Sequence, residues 1–256
     1  MEPQDKSLED LQAEHGGPVA KRHRVPRGEL EEQSPVRNYV RDMVLGFNDG
    51  LVSVYAVTAG LVGAAFAGPQ ILLAGIAAAV AGALSMAAGE YISTKSQAQY
   101  YAAERRREEE HLRRWPELEK REVRESLAEK GIDPPLLDEV TEAIAADPDR
   151  MLDFMMREEF GLGVESERDP WKAAWIVILA FLVGAMFALV PYGVLDGEAA
   201  LAGSSALSVT GLFLAGALRA RASHLPVVKA GLEMVLIGIA AAAATYGLGV
   251  LVGGAL

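Results

Sequence analysis

Asp49 lies within an apolar stretch, residues 44–66, and Glu90 near the end of a second one, residues 71–92. An ionised side chain at the centre of a bilayer costs at least ~2.5–3.5 kcal/mol on an insertion scale. Acids therefore persist there where a water-filled path, a proton relay or an ion has to be served. Met86 stands one helical turn before Glu90, which puts a thioether and a carboxylate on one face. That pairing is unusual for a proton pump and apt for a divalent transition metal. Ser53, one turn from Asp49, extends the polar face. Plainer readings compete. Asn48 and Asp49 can satisfy backbone groups near Gly50 if the helix is irregular there, and Glu90 can snorkel to the inner interface or pair with Lys95. Glu233 and Met234, in a later apolar stretch, are further candidates, the acid being equally a counter-charge to Arg219, Arg221 or Lys229.

A second set lies outside the apolar stretches. Glu108 and His111 are three apart, and Glu119 and Glu122 repeat that step after Pro116. Neighbours at this spacing share a helix face, and a Glu-x-x-His step is what helical carboxylate metal sites use. Met155, Met156 and Glu159 add a third contribution, Glu159 one turn beyond Met155. Carboxylate and imidazole suit Fe²⁺, Mn²⁺ and Zn²⁺, while thioethers disfavour Mg²⁺ and Ca²⁺. The competing reading is a solvated helix surface: Arg105, Arg106 and Arg107 are ready partners for the surrounding glutamates, and a methionine pair beside Phe154 suits a core.

These residues need elements to hold them. Hydrophobic residues make up 51% of the chain and its formal net charge is -11, figures that fit together only if apolar and charged segments are segregated. Five stretches are apolar enough to span: residues 44–66, 71–92, 173–190 (extensible to 195), 199–218 and 227–256. About 20 such residues cross a hydrocarbon core. Lys and Arg cluster before the first span, between the second and third, and between the fourth and fifth; the links 68–70 and 191–198 and the C-terminal end hold none. An N-terminus inside puts every basic segment in the cytoplasm and the C-terminus outside. Residues 1–35, with Pro, Gly and mixed charge but no periodicity, read as a disordered tail in which His15 and His23 are incidental.

The charged segment 97–169 reads as helical. Residues 97–114 continue the second span, Pro116 ends or kinks it, a helix over 117–130 is closed by Gly131, and a third runs from about 135 to 146. A fourth starts with Asp147 as N-cap and Pro148 at the first helical position, and stops before Gly161 or Gly163. The expected fold is thus an all-α membrane protein: transmembrane helices 1–2 over 36–96, a cytoplasmic helical metal-binding domain over 97–169, and transmembrane helices 3–5 over 170–256. Gly75, Gly82 and Gly89 form a stripe on the second helix and Gly231 and Gly238 on the fifth, serving either packing within one chain or a dimer seam. The chain has no cysteine, which removes thiolate ligands and disulfides.

The strings RDMVLGFNDGLVSVYAVTAGLVGA and SMAAGEYISTKSQ resemble the first two spans of the vacuolar iron transporter family, and the resemblance extends over residues 36–253. It implies a homodimer that moves Fe²⁺, and often Mn²⁺, out of the cytoplasm in exchange for protons. It implies that Asp49 and Met86 line the path near mid-membrane with Glu90 close by. It implies too that Glu108, Glu119, Glu122, Met155, Met156 and Glu159 match metal-collecting positions, with His111 where the family usually has a second Glu. The expected localisation is a bacterial plasma membrane, with metal ions, protons and lipid as partners. No catalytic residue, prosthetic group or nucleic-acid partner is expected. The alternatives are a membrane-tethered metal buffer or sensor without transport, and a proton-coupled carrier of a small organic solute.

Overall fold

A computed structural model describes residues 35–160, 168–222 and 225–254; the expected N-terminal tail falls outside them. They form eight helices and, among the described residues, no strand: α1 (Pro35–Gly63), α2 (Gly68–Arg114), α3 (Pro116–Glu129), α4 (Leu136–Ala145), α5 (Pro148–Phe160), α6 (Pro170–Val194), α7 (Gly197–Ala222) and α8 (Val227–Gly253). Five of them, α1, α2, α6, α7 and α8, are long and apolar enough to cross a membrane. With 47 residues, α2 is about 70 Å long at 1.5 Å per residue, more than twice the ~30 Å of a hydrocarbon core. Its second half therefore projects beyond any bilayer its first half crosses.

The local stop signals act as their chemistry dictates. Trp115 breaks the α2 helix and Pro116 opens α3; Gly131, at φ 81°, turns the chain after α3. Asp147 caps α5, its Oδ1 accepting from the Asp149 and Arg150 amides at 3.0 and 3.4 Å. Asp169 caps α6 in the same way, accepting from Trp171 and Lys172 at 2.8 and 3.1 Å.

Several expected boundaries are corrected. The first helix starts at Pro35 and ends at Gly63 rather than running over 44–66. Ala65 takes φ 60° and the Phe66 amide donates back to Leu61 at 3.0 Å. Two alanines carry no turn signal, so composition alone extended the span. The segment 68–70 is the first turn of α2, not a link. The segment from Pro191 begins as helix: α6 runs to Val194, within the extension to 195 that the sequence allows, although Pro191 has no amide to donate to the Phe187 carbonyl, and its ring packs on Gly203.

α1 is the hub, packed on α2, α6, α7 and α8. Its approach to α6 requires glycine: a Cβ on Gly50 would run into the Phe181 carbonyl, and one on Gly184 into the Phe47 carbonyl. Where small residues allow this, dispersion between backbones replaces the hydrophobic drive that lipid does not supply. The glycine stripes divide accordingly. Gly75 and Gly82 receive Leu189 and Phe181, Gly231 and Gly238 receive Phe213 and Leu212, and Gly89 meets nothing within 4 Å. Away from these spans, α3, α4 and α5 enclose a separate core of Val123, Leu127, Leu137, Met151 and Met155.

Candidate functional site

Asp49 and Ser53 on α1 and Ser85 and Met86 on α2 line one groove of about 420 Å³, with Phe181 of α6 also on its wall. Ser53 Oγ donates to Asp49 Oδ1 at a long 3.5 Å, so the carboxylate keeps most of its acceptor capacity for a ligand. Asp49 is exposed and Met86 half-buried. α1 is unbroken through Gly50, so Asp49 caps no irregular turn, although Asn48 Oδ1 is buried without a partner.

Glu90 does not line that groove. Its Oε1 accepts from Thr94 Oγ1 at 3.0 Å and from Arg168 Nη2 at 3.2 Å, and the same Nη2 donates to Asp42 Oδ2. Lys95, one of the alternative partners weighed from sequence, lies instead 5.4 Å over the Tyr91 ring. The Asp42 and Arg168 side chains are 2% and 3% exposed. Arg168 also faces the Tyr39 ring at 5.5 Å, and Arg41 approaches Asp42 at 3.7 Å. Sequence reading missed both Asp42 and Arg168. Asp42 was findable, lying seven residues before Asp49 on the same helical stripe. Arg168 is 126 residues from Asp42 and carries no local signal. Glu233 pairs with Arg219 at 2.7 Å, the counter-charge alternative, and Met234 is buried.

At the junction of α2 and α3, Glu108, His111 and Glu119 each offer a ligand atom, all within 4.8 Å of one another. His111 Nδ1 stands 3.9 Å from Glu108 Oε1 and 3.6 Å from Glu119 Oε1, and its ring meets Trp115 edge-on at 5.5 Å. The break at Trp115–Pro116 folds α3 back so that the two helices bring these side chains together. Glu108 and Glu119 are buried, and Glu119 Oε2 has no hydrogen-bond partner. Burial pushes the Glu119 carboxyl above the usual glutamate range, helped by the charges of Glu122 and Glu108 and opposed by His111. A divalent cation would satisfy such converging acids.

The other expected ligands stand apart from this trio. Glu122 is exposed and lines a neighbouring groove of about 310 Å³ with Met155, Glu125, Glu129 and Glu158. Met155 belongs to the core of α3–α5 while also walling that groove, and Met156 is fully buried. The Glu159 side chain lies outside the described residues. Glu104, one turn before Glu108, has a buried Oε2 without a hydrogen bond that lies 3.6 Å from Arg107 Nη1, the arginine pairing expected for this run.

A family model described as the VIT family matches residues 40–250. The chain is similar to vacuolar iron transporter 1 of Eucalyptus grandis, 36% identical over 82% of this chain and 84% of the relative. It is similar to vacuolar iron transporter 1 of Arabidopsis thaliana, 35% identical over 81% and 83%. It is similar also to protein CCC1 of Saccharomyces cerevisiae, 32% identical over 84% and 69%. The matched segment reaches into all five candidate spans and takes in the groove beside Asp49 and the junction at Trp115, and by that match this chain belongs to the VIT family.

Proposed function

We propose that the protein carries Fe²⁺, and Mn²⁺ by the same chemistry, across a membrane out of the cytoplasm in exchange for protons, and so serves iron and manganese homeostasis. The observation that carries this reading is the groove in which α1 contributes a carboxylate, Asp49, and α2 a thioether, Met86. The names of the plant relatives, vacuolar iron transporter, support iron as the cargo.

In this reading α3–α5 and the outer half of α2 form a cytoplasmic metal-collecting domain. Glu108, His111 and Glu119 hold the incoming ion, with Glu122, Met155, Met156 and Glu159 as further collecting positions. The ion passes toward Glu90 and Met86 and binds the Asp49 carboxylate. Protonation of Asp49 from the far side releases it, because one carboxylate holds either a metal or a proton and not both. Asp49 is exposed in a single chain, and an acid facing lipid is costly, which supports a homodimer whose second copy covers the groove.

The test is metal flux into proteoliposomes across an imposed pH gradient, with Fe²⁺, Mn²⁺, Co²⁺ and Zn²⁺ in parallel. Wild type should accumulate metal only with the gradient, and Asp49→Ala should not accumulate it at all. Undiminished flux in that variant sinks the assignment. A second reading, a membrane-tethered metal buffer or sensor, draws on the buried trio at the α2–α3 junction, which needs no path to bind metal. It predicts bound metal and no flux in the same vesicles.

A further inference from the structure

We propose that Asp42, Glu90 and Thr94 form a second divalent-metal site beyond the Asp49–Met86 groove, and that in this state the Arg168 guanidinium fills it as a tethered cation. The inference deepens the transport reading and rests on it for its purpose, though not for its test.

Position is the first argument. Asp42 is two turns before Asp49 on α1 and Glu90 one turn after Met86 on α2. The two helices form a hairpin joined at residues 64–67, so both offsets lead to the same end of the groove. An ion using that end passes between these carboxylates. Chemistry is the second. Two carboxylates and a hydroxyl are a hard oxygen set suited to Mn²⁺ and Fe²⁺. With the guanidinium withdrawn, the two carboxylates match a divalent ion in charge, since Arg41, 3.7 Å from Asp42, is 67% exposed and free to turn to solvent.

Arg168 itself is held loosely for so buried a cation. Arginine binds carboxylates best through its planar fork, with parallel bonds from different nitrogens. Here both acids are reached from Nη2 alone, and the buried Nε has no hydrogen-bond partner. A side chain only 3% exposed that serves two acids from one nitrogen and leaves its Nε unpaired is a poorly matched occupant. A metal ion that replaced it would let the guanidinium turn away and free both carboxylates.

The experiment reads binding on the full-length protein in detergent, by Mn²⁺ electron paramagnetic resonance against free metal. R168Q should bind more Mn²⁺ per chain than wild type, and the double variant R168Q/E90Q should lose that gain. A folded R168Q protein without the gain overturns the proposal, as does a gain that survives E90Q. Wild type supplies a measurement that does not depend on how R168Q folds. Phenylglyoxal modification of Arg168, followed by peptide mass spectrometry, should be negligible in metal-free protein and rise at saturating Mn²⁺. Arg168 that stays unmodified at saturation also overturns it. Absence of flux in wild type, with the extra Mn²⁺ bound by R168Q, sinks the transport reading alone; wild-type flux without that extra binding sinks only this inference.

Discussion

His111 is where single-residue chemistry shows most clearly. It supplies an imidazole between two buried glutamates, and imidazole favours Zn²⁺ and Fe²⁺ whereas an all-carboxylate set favours Mn²⁺. Substituting His111→Glu should therefore move the preference of this site toward Mn²⁺ at the expense of Zn²⁺, read by competition titration of the two metals. An unchanged ratio means that His111 is not a ligand. The raised pKa of Glu119 makes a prediction with a definite sign. The metal-free fold favours the protonated acid, so its contribution to stability is complete below the ordinary glutamate value and is lost as pH rises through the raised one. A bound cation takes the carboxylate form and removes that penalty. Thermal melts should show a larger Mn²⁺-induced rise at neutral pH than under acid conditions. Equal rises at both would mean that the metal binds elsewhere. Asp49 makes the sharper demand, since Asp49→Asn keeps the shape of the side chain, forfeits its charge, and should still abolish flux.

The helices determine whether those residues meet. Gly50 and Gly184 hold α1 and α6 at backbone contact, and that spacing puts Phe181 on the wall of the groove. A methyl group at Gly50 has only the Phe181 carbonyl to push against, which cannot yield as a side chain would. Gly50→Ala should cost about 1–3 kcal/mol, the usual penalty of overpacking, and lower the melting temperature of the detergent-solubilised protein. An unchanged melt would mean that α1 and α6 are not closely apposed. The same helices mark what the sequence makes legible. Pro116, Gly131 and the Asp147–Pro148 pair stop and start helices by local chemistry, and α3, α4 and α5 begin and end within a residue or two of where these signals place them. The turn at Ala64–Ala65 has no such chemistry, and Pro191 carries a stop signal yet stands inside α6, three residues before its end. The Glu108–His111–Glu119 trio was readable because each pair lies on one helix or across one turn. Arg168 was not, because its partners are set by how α1, α2 and α6 pack.

At the scale of the whole molecule, the distribution of charge predicts an orientation that can be tested outright. Arg37 and Arg41 lie in the first two turns of α1, the α3–α5 segment is rich in both signs, and Arg219, Arg221 and Lys229 flank the link between α7 and α8. The short turn between α1 and α2, the link between α6 and α7, and the end of α8 carry no Lys or Arg. Basic residues resist translocation, so the first group of segments should share the cytoplasmic side and the second the opposite side. The chain contains no cysteine, so single cysteines introduced one at a time report without a background. A membrane-impermeant maleimide on intact cells should label Asp196→Cys and Gly254→Cys directly, and Glu125→Cys and Lys229→Cys only after permeabilisation. The converse pattern would put the α2–α3 trio on the side to which metal is delivered rather than the side from which it is taken. The trio would then be a receiver of exported ions, and the direction of transport proposed for this protein would have to be reversed.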